Sequence, residues 1–103
     1  MEVKKHIYII RAGDHYYKIG ISRRPQKRQY QIDGACPLKT ELIYKREFGD
    51  NAEFMEKFLH RKFTVERKHI KGEWFFLSEI DVKDIIKYLD AGDLIKFKKE
   101  FEE

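Results

Sequence analysis

The chain has 103 residues, enough for one compact domain over residues 1–103 and too few for two cores. Charged residues make up 39% of it, no apolar run approaches the ~20 residues that span a bilayer, and the N-terminal residues lack the apolar stretch of a secretion signal. We therefore expect an intracellular protein, cytoplasmic or nuclear, without membrane contact. Its single cysteine, Cys36, excludes an internal disulfide and a cysteine-rich metal site.

The net charge of +4 is unevenly distributed. Residues 1–48 carry eleven Lys and Arg against five Asp and Glu, whereas residues 49–103 carry eleven against thirteen. This asymmetry favours a polyanionic partner facing the N-terminal half, although a domain of this charge can simply be soluble.

The N-terminal half begins with two β-rich runs, residues 6–11 and 16–22, which predict a hairpin. Pro25 is typical of a first helical turn, and the pattern predicts a helix from there to about Ile32 that ends at Asp33-Gly34. Alternating apolar residues predict a third strand over residues 40–48.

A second helix follows, and Asp50 and Glu53 have the spacing of a capping box at its start. Its apolar residues recur at helical spacing; they are Phe54, Met55, Phe58, Leu59 and Phe63. Residues 73–77 predict another strand, and an amphipathic helix from Asp81 breaks at Ala91-Gly92 before a last helical piece over residues 94–101. These elements predict a small α/β (α+β) fold with a mixed or antiparallel sheet of three to four strands and flanking helices.

Four basic residues crowd the start of the first helix, where their charges oppose the positive end of the helix dipole. They are Arg23, Arg24, Lys27 and Arg28. A bound phosphate would offset this cost and would also meet free backbone amides. The alternative is a solvated basic face.

Two acidic residues, a histidine and a tyrosine are further candidates. Glu56 and His60 lie four residues apart on one helix face, where they can hold a divalent cation or position a proton, or form only a surface pair. Tyr8 points away from the face of Ile7 and Ile9, as a packing tyrosine also would. Glu73, at the start of a strand, is ordinarily solvated.

Together these residues carry a resemblance to a known family. His6-Ile7-Tyr8, then Tyr17-Lys18-Ile19-Gly20, then Arg28 and Glu56 on successive helices resemble the GIY-YIG nuclease superfamily. The chain looks closest to a phage-encoded DNA-binding branch, because it carries a Tyr-Lys-Ile-Gly element, Glu-x-x-x-His at residues 56–60 and Gly-Glu-Trp-Phe at residues 72–75. The similarity covers residues 6–78, which leaves residues 79–103 as a C-terminal helical extension.

The resemblance implies roles for individual residues. Tyr8 would be the general base or the group that positions the nucleophile, Arg28 the phosphate clamp, and Glu56 the ligand of one Mg²⁺ or Mn²⁺ ion. His60 and Glu73 match positions specific to the branch. The chain departs from the superfamily at His6, where the first glycine stands, and at Lys18, which replaces the second tyrosine.

The hairpin register decides which residue neighbours Tyr8. A three-residue loop Ala12-Gly13-Asp14 pairs Tyr8 with Lys18, whose ammonium would then stabilise the phenolate. A two-residue loop Gly13-Asp14 instead brings Tyr17 onto the face of Tyr8. The resemblance favours Lys18.

The function that these features favour is a metal-dependent DNA endonuclease. The alternative is a DNA-binding module on the same fold without cleavage, and a third class is an RNA-binding or protein-interaction domain. DNA is the expected partner ahead of RNA. Since we expect no second DNA-binding domain, sequence specificity would require a homodimer or another partner, and the alternative is a role that is not sequence-specific.

Overall fold

The computed structural model describes residues 5–66 and 68–91. The strands are β1 (His6–Ala12), β2 (Tyr16–Ser22), β3 (Thr40–Glu47), β4 (His69–Lys71) and β5 (Trp74–Phe76). The helices are α1 (Pro25–Ala35), α2 (Ala52–Val65) and α3 (Glu79–Ala91), and a 3₁₀ turn, Gly49–Asn51, precedes α2. The predicted α+β class is confirmed. The described part has five strands, one more than the upper prediction, because the short, fully exposed β4 pairs at the sheet edge.

The strands lie in the order β3-β1-β2-β5-β4, and every neighbouring pair is antiparallel. Side chains alternate between the two faces of each strand. We call the face that carries Ile7 and Ile9 the core face, and the face that carries Tyr8, Lys18 and Gly20 the site face. β1 is buried on both faces, since Ile7, Tyr8, Ile9 and Ile10 are at most 1% exposed.

Helices α2 and α3 cover the core face. Their buried residues pack with Ile7, Ile9 and Ile19 in one cluster, and they include Met55, Phe58, Leu59, Phe63, Val82, Ile85 and Leu89. The apolar residues whose spacing predicted these helices are therefore the ones that pack against the sheet. None of the helices in the described ranges is long and apolar enough to cross a membrane.

Helix α1 lies on the site face and is held there largely by polar contacts. Asp33 Oδ1 accepts hydrogen bonds from the backbone N (3.0 Å) and the Oγ1 (2.7 Å) of Thr40. Gln29 Nε2 donates to the same Oγ1 at 2.9 Å. Thr40 is opposite Ala12 in the sheet, so its side chain lies on the face of Tyr8. Because Asp33 bonds to Thr40 and does not open a turn, α1 continues through Gly34 to Ala35, past its predicted end.

The helix starts differ from the predicted ones. Helix α2 has Asn51 at its N-cap without a side-chain hydrogen bond, and Glu53 pairs with Lys5, so the predicted capping box is wrong. Such a box stands instead at α3, where the backbone N of Ser78 donates to Asp81 Oδ2 (3.0 Å) and the backbone N of Asp81 donates to Ser78 Oγ (3.1 Å). Helix α3 therefore begins before Asp81. The helical piece predicted over residues 94–101 lies outside the described residues.

Candidate active site

The register of the β1–β2 hairpin places Tyr8 opposite Gly20 and Lys18 opposite Ile10. The last pair is Ala12 with Tyr16, so the loop is residues 13–15 and the predicted direct pairing of Tyr8 with Lys18 is wrong. A shift of two residues preserves the face, and Lys18 remains on the site face beside Gly20. Tyr17, the alternative neighbour of Tyr8, is 3% exposed and belongs to the cluster on the core face, which removes it from the site.

Gly20 lies on β2 directly beneath the point at which the Tyr8 hydroxyl and the Glu73 carboxylate meet. A Cβ atom at this position would lie 2.4 Å from the Tyr8 hydroxyl oxygen and 2.9 Å from Oε2 of Glu73. The absence of a side chain therefore lets the phenol and the carboxylate approach the same point above the strand. Glycine is required here for close approach and not for an unusual backbone conformation, because only Gly13, Gly49 and Gly72 have positive φ in the described part.

Glu73 reaches this point through the turn between β4 and β5. Gly72 adopts φ +56°, a conformation that favours glycine, and the Glu73 carbonyl then accepts a hydrogen bond from the backbone N of Ile19 at 3.2 Å. Lys18 Nζ lies 3.3 Å from Glu73 Oε2, so the ammonium pairs with this carboxylate. Two of the motifs that carry the resemblance, Tyr-Lys-Ile-Gly and Gly-Glu-Trp-Phe, thus meet as adjacent strands.

The Tyr8 side chain is 1% exposed, and burial raises its pKa to about 12. The Arg28 guanidinium opposes this shift by hydrogen bonding and by its charge, while Glu73 and Glu56 add to it. We expected Lys18 to stabilise the Tyr8 phenolate, but its ammonium pairs with Glu73 instead. Arg28 lowers the pKa of Tyr8, and burial raises that pKa by more. Tyr8 is therefore a protonated hydroxyl at neutral pH.

Glu56 is half-buried, and its pKa is raised to about 7 by burial first and by the charge of Glu73 second. Lys18 partly opposes this shift. Helix α2 packs on the core face. Strand β5 pairs with β2 only from Tyr16 to Lys18, so no described strand pairs with this edge of β2 after Lys18. The charges of Glu73 and Lys18 act on the Glu56 carboxylate, which therefore lies near the site.

His60, one helical turn after Glu56, occupies the same edge. Its Nε2 lies 2.7 Å from the Ile19 carbonyl oxygen, and since a carbonyl only accepts, this nitrogen carries the proton and donates. The ring also packs edge-on against Phe75, with centroids 5.0 Å apart. The geometry makes His60 a residue that fixes α2 to β2 and so holds Glu56 in place.

The carboxylates Glu56 and Glu73 are the oxygen donors of the site. No group of three His, Cys, Asp or Glu residues within residues 5–66 and 68–91 forms a metal cage. The donors nevertheless suit magnesium, which keeps most of its waters and binds through one or two carboxylates. Burial and the negative charge of Glu73 raise the pKa of Glu56, and a bound divalent cation would favour its charged form.

Two further features accompany the site, of which the first was a candidate from the sequence. Arg23, Arg24 and Lys27 are exposed at the start of α1, with no acidic residue in its first turn and no ion pair to any described residue. His6 lies on the site face two residues before Tyr8, and its Nδ1 is buried without a hydrogen-bond partner in the described part. Its position in place of a superfamily glycine was the only sequence signal for it.

The class of the protein, a GIY-YIG-related, nuclease-like domain, follows from a family match, and the antiparallel sheet with its helices agrees with it. The model of one protein family, the T5orf172 domain, matches residues 5–90. This match covers most of the chain, which therefore belongs to the T5orf172 domain family. No curated protein and no solved structure gives a significant match.

Proposed function

We propose that the protein is a DNA endonuclease that hydrolyses phosphodiester bonds with one divalent metal ion held by Glu56. The observation that carries this proposal is that the Tyr8 hydroxyl and the Glu73 carboxylate approach one point above Gly20, with the charges of Arg28 and Glu56 near enough to shift the pKa of Tyr8. A hydrogen-bond donor, a cation and two carboxylates in one place match the needs of phosphoryl transfer.

We assign a separate role in the reaction to each of these side chains. Arg28 pairs with the phosphate and neutralises the charge that develops on it. Tyr8, protonated at neutral pH, donates a hydrogen bond to the phosphate or to the attacking water, and so acts by positioning and not as the base. Glu73, whose negative charge Lys18 stabilises, accepts the proton that the water loses as its oxygen attacks phosphorus. A bound Mg²⁺ or Mn²⁺ ion would polarise the phosphate and stabilise the leaving oxygen.

DNA binding is supported by a separate part of the chain. The side chains of Arg23, Arg24 and Lys27 are exposed next to the open N-terminus of α1, beside Arg28. Phosphate contacts of this kind position a nucleic acid without reading its sequence. We therefore propose affinity for DNA, ahead of RNA, that is dominated by the phosphate backbone.

The test is incubation of the purified protein with supercoiled plasmid and magnesium, with a chelator as the metal-free control. We expect Glu56→Gln to abolish nicking and to leave binding to a labelled DNA within about twofold. Glu79→Gln, an exposed glutamate at the start of α3, is the matched control and should cut like the parent. Equal nicking by the parent and by Glu56→Gln would remove Glu56 from the site.

A second candidate is a DNA-binding module without cleavage. The observation that favours it is Tyr8, whose pKa of about 12 deprives the site of a tyrosine base. This candidate predicts that the parent binds DNA, yet leaves plasmid intact with magnesium and with manganese. Metal-dependent nicking that Glu56→Gln abolishes would exclude it.

A further inference from the structure

Three aromatic side chains continue the site face away from Tyr8. We call them the aromatic strip: Tyr16, Trp74 and Phe76. Tyr16 is opposite Phe76, and Lys18 is opposite Trp74, in the β2–β5 pairing. Because Tyr17 and Phe75 between them are buried in the core cluster, the strip faces the other way, on the side of Gly20.

The strip is unusually open for aromatic residues within a sheet. Tyr16 is 42% and Phe76 is 51% exposed. The Phe76 ring is held between Tyr16, at a centroid distance of 5.8 Å, and His15, at 5.3 Å. Tyr16 stands four residues before Gly20 on the same strand, about 13 Å away at the usual rise of an antiparallel strand. The rings are therefore fixed, accessible and continuous with the candidate site.

One cation borders the strip without a paired carboxylate among the described residues, and a second is paired. Lys18 Nζ lies 5.8 Å from the centre of the Trp74 ring, but Glu73 pairs with it at 3.3 Å, so the cation that can meet a phosphate is Arg28. Arg28 lies at the other side, next to Tyr8. Aromatic rings on a sheet next to cationic side chains are a common arrangement for holding unpaired nucleotides, since bases stack on the rings while phosphates meet the cations.

We propose that the aromatic strip stacks the bases of an unpaired DNA strand and leads that strand into the site. A duplex keeps its bases stacked on one another, so it offers these rings no base face, whereas a single strand or a frayed end does. The proposal names the substrate class of the function proposed above and rests on it for cleavage, but the binding that it predicts does not depend on a metal ion.

Trp74 provides a direct measurement, because it is the only tryptophan in the sequence. A single-stranded oligothymidylate, titrated in chelator at fixed ionic strength, should quench its fluorescence, and a hairpin duplex of equal phosphate number should quench it less. Phe76→Ala and Tyr16→Ala should each weaken single-strand affinity at least about fivefold, which corresponds to about 1 kcal/mol for one stacked base. Tyr16→Phe should bind like the parent, since stacking requires the ring and not the hydroxyl.

The matched control is Tyr30→Ala, which removes an aromatic side chain that is 71% exposed on α1 and outside the strip; its affinity should not change. Circular dichroism and urea unfolding establish that each variant folds. Equal quenching by duplex and single strand, or unchanged affinity in both folded alanine variants, would overturn the proposal. A parent that shows the expected quenching but cuts neither supercoiled plasmid nor a labelled single-stranded oligonucleotide with magnesium would refute the nuclease function and leave the strip as a single-strand site.

Discussion

Replacing Gly20 with alanine tests the geometry of the site most directly. The new methyl group would lie 2.4 Å from the Tyr8 hydroxyl oxygen and 2.6 Å from the ring carbon that bears it. Since ordinary van der Waals contact begins near 3.4 Å, the phenol must move by about 1 Å. Tyr8 is 1% exposed and has no solvent to move into, so its neighbours must move with it.

The expected cost is that of an overpacked interior, about 1–3 kcal/mol in the free energy of unfolding, measured in urea. A 1 Å displacement of a catalytic side chain costs on the order of 10²-fold in rate, and plasmid nicking should fall by about that factor. Gly34→Ala is the matched control, because no atom lies within 4 Å of the added Cβ and a helical alanine stabilises by about 0.5–1 kcal/mol. A Gly20→Ala variant as stable and as active as the parent would refute the close approach of Tyr8.

Four other changes have defined outcomes. Glu73→Gln should lower the nicking rate by about 10²-fold or more if this carboxylate accepts the proton, and nicking at the parent rate would exclude that role. Ser78→Ala removes one half of the capping box of α3 and should reduce the free energy of unfolding by about 1 kcal/mol in urea; an unchanged midpoint would contradict the cap. The pKa of Tyr8 rises from 10.0 to about 12 on folding, so the parent should lose stability relative to Tyr8→Phe as pH rises from 10 to 12, with no such change below pH 10; parallel pH profiles would contradict it. Arg23→Ala should reduce the slope of log affinity for DNA against log salt by about one, and an unchanged slope would remove this residue from the phosphate contacts.

The sequence predicted best those elements whose apolar residues all lie on one wide face. Helices α2 and α3 carry such stripes because each packs on the core face of the sheet. Strand β4 has no comparable signal, since its three residues are all exposed and pair only at the edge. The predicted end of α1 was also too early. The observed end depends on the hydrogen bond that Thr40 Oγ1 donates to Asp33, a contact between two elements that the local sequence does not predict.

The candidate site was predictable only in part. The roles of Tyr8, Arg28 and Glu56 were inferred from the resemblance to a family. How near these residues lie to one another depends on the tertiary fold, which their spacing along the chain does not predict. The pairing of Lys18 with Glu73 was not predicted, because it depends on a loop of residues 13–15 and on the docking of β5 against β2. A two-residue shift of register changed the partner of Tyr8 and left its face unchanged.

The charges of the molecule separate the surface for which we propose DNA binding from the site for which we propose cleavage. The start of α1 is basic and open, so it attracts phosphates without help from the rest of the site. Above Gly20, by contrast, the charge of Glu73 adds to burial in raising the pKa of Glu56, and the two carboxylates would repel a phosphate that approached them alone. Arg28 belongs to the basic helix, and its charge acts on the Tyr8 hydroxyl. In the function that we propose, a cation bound at Glu56 would offset the negative charge of the two carboxylates, while the affinity that we expect from α1 would remain as it was.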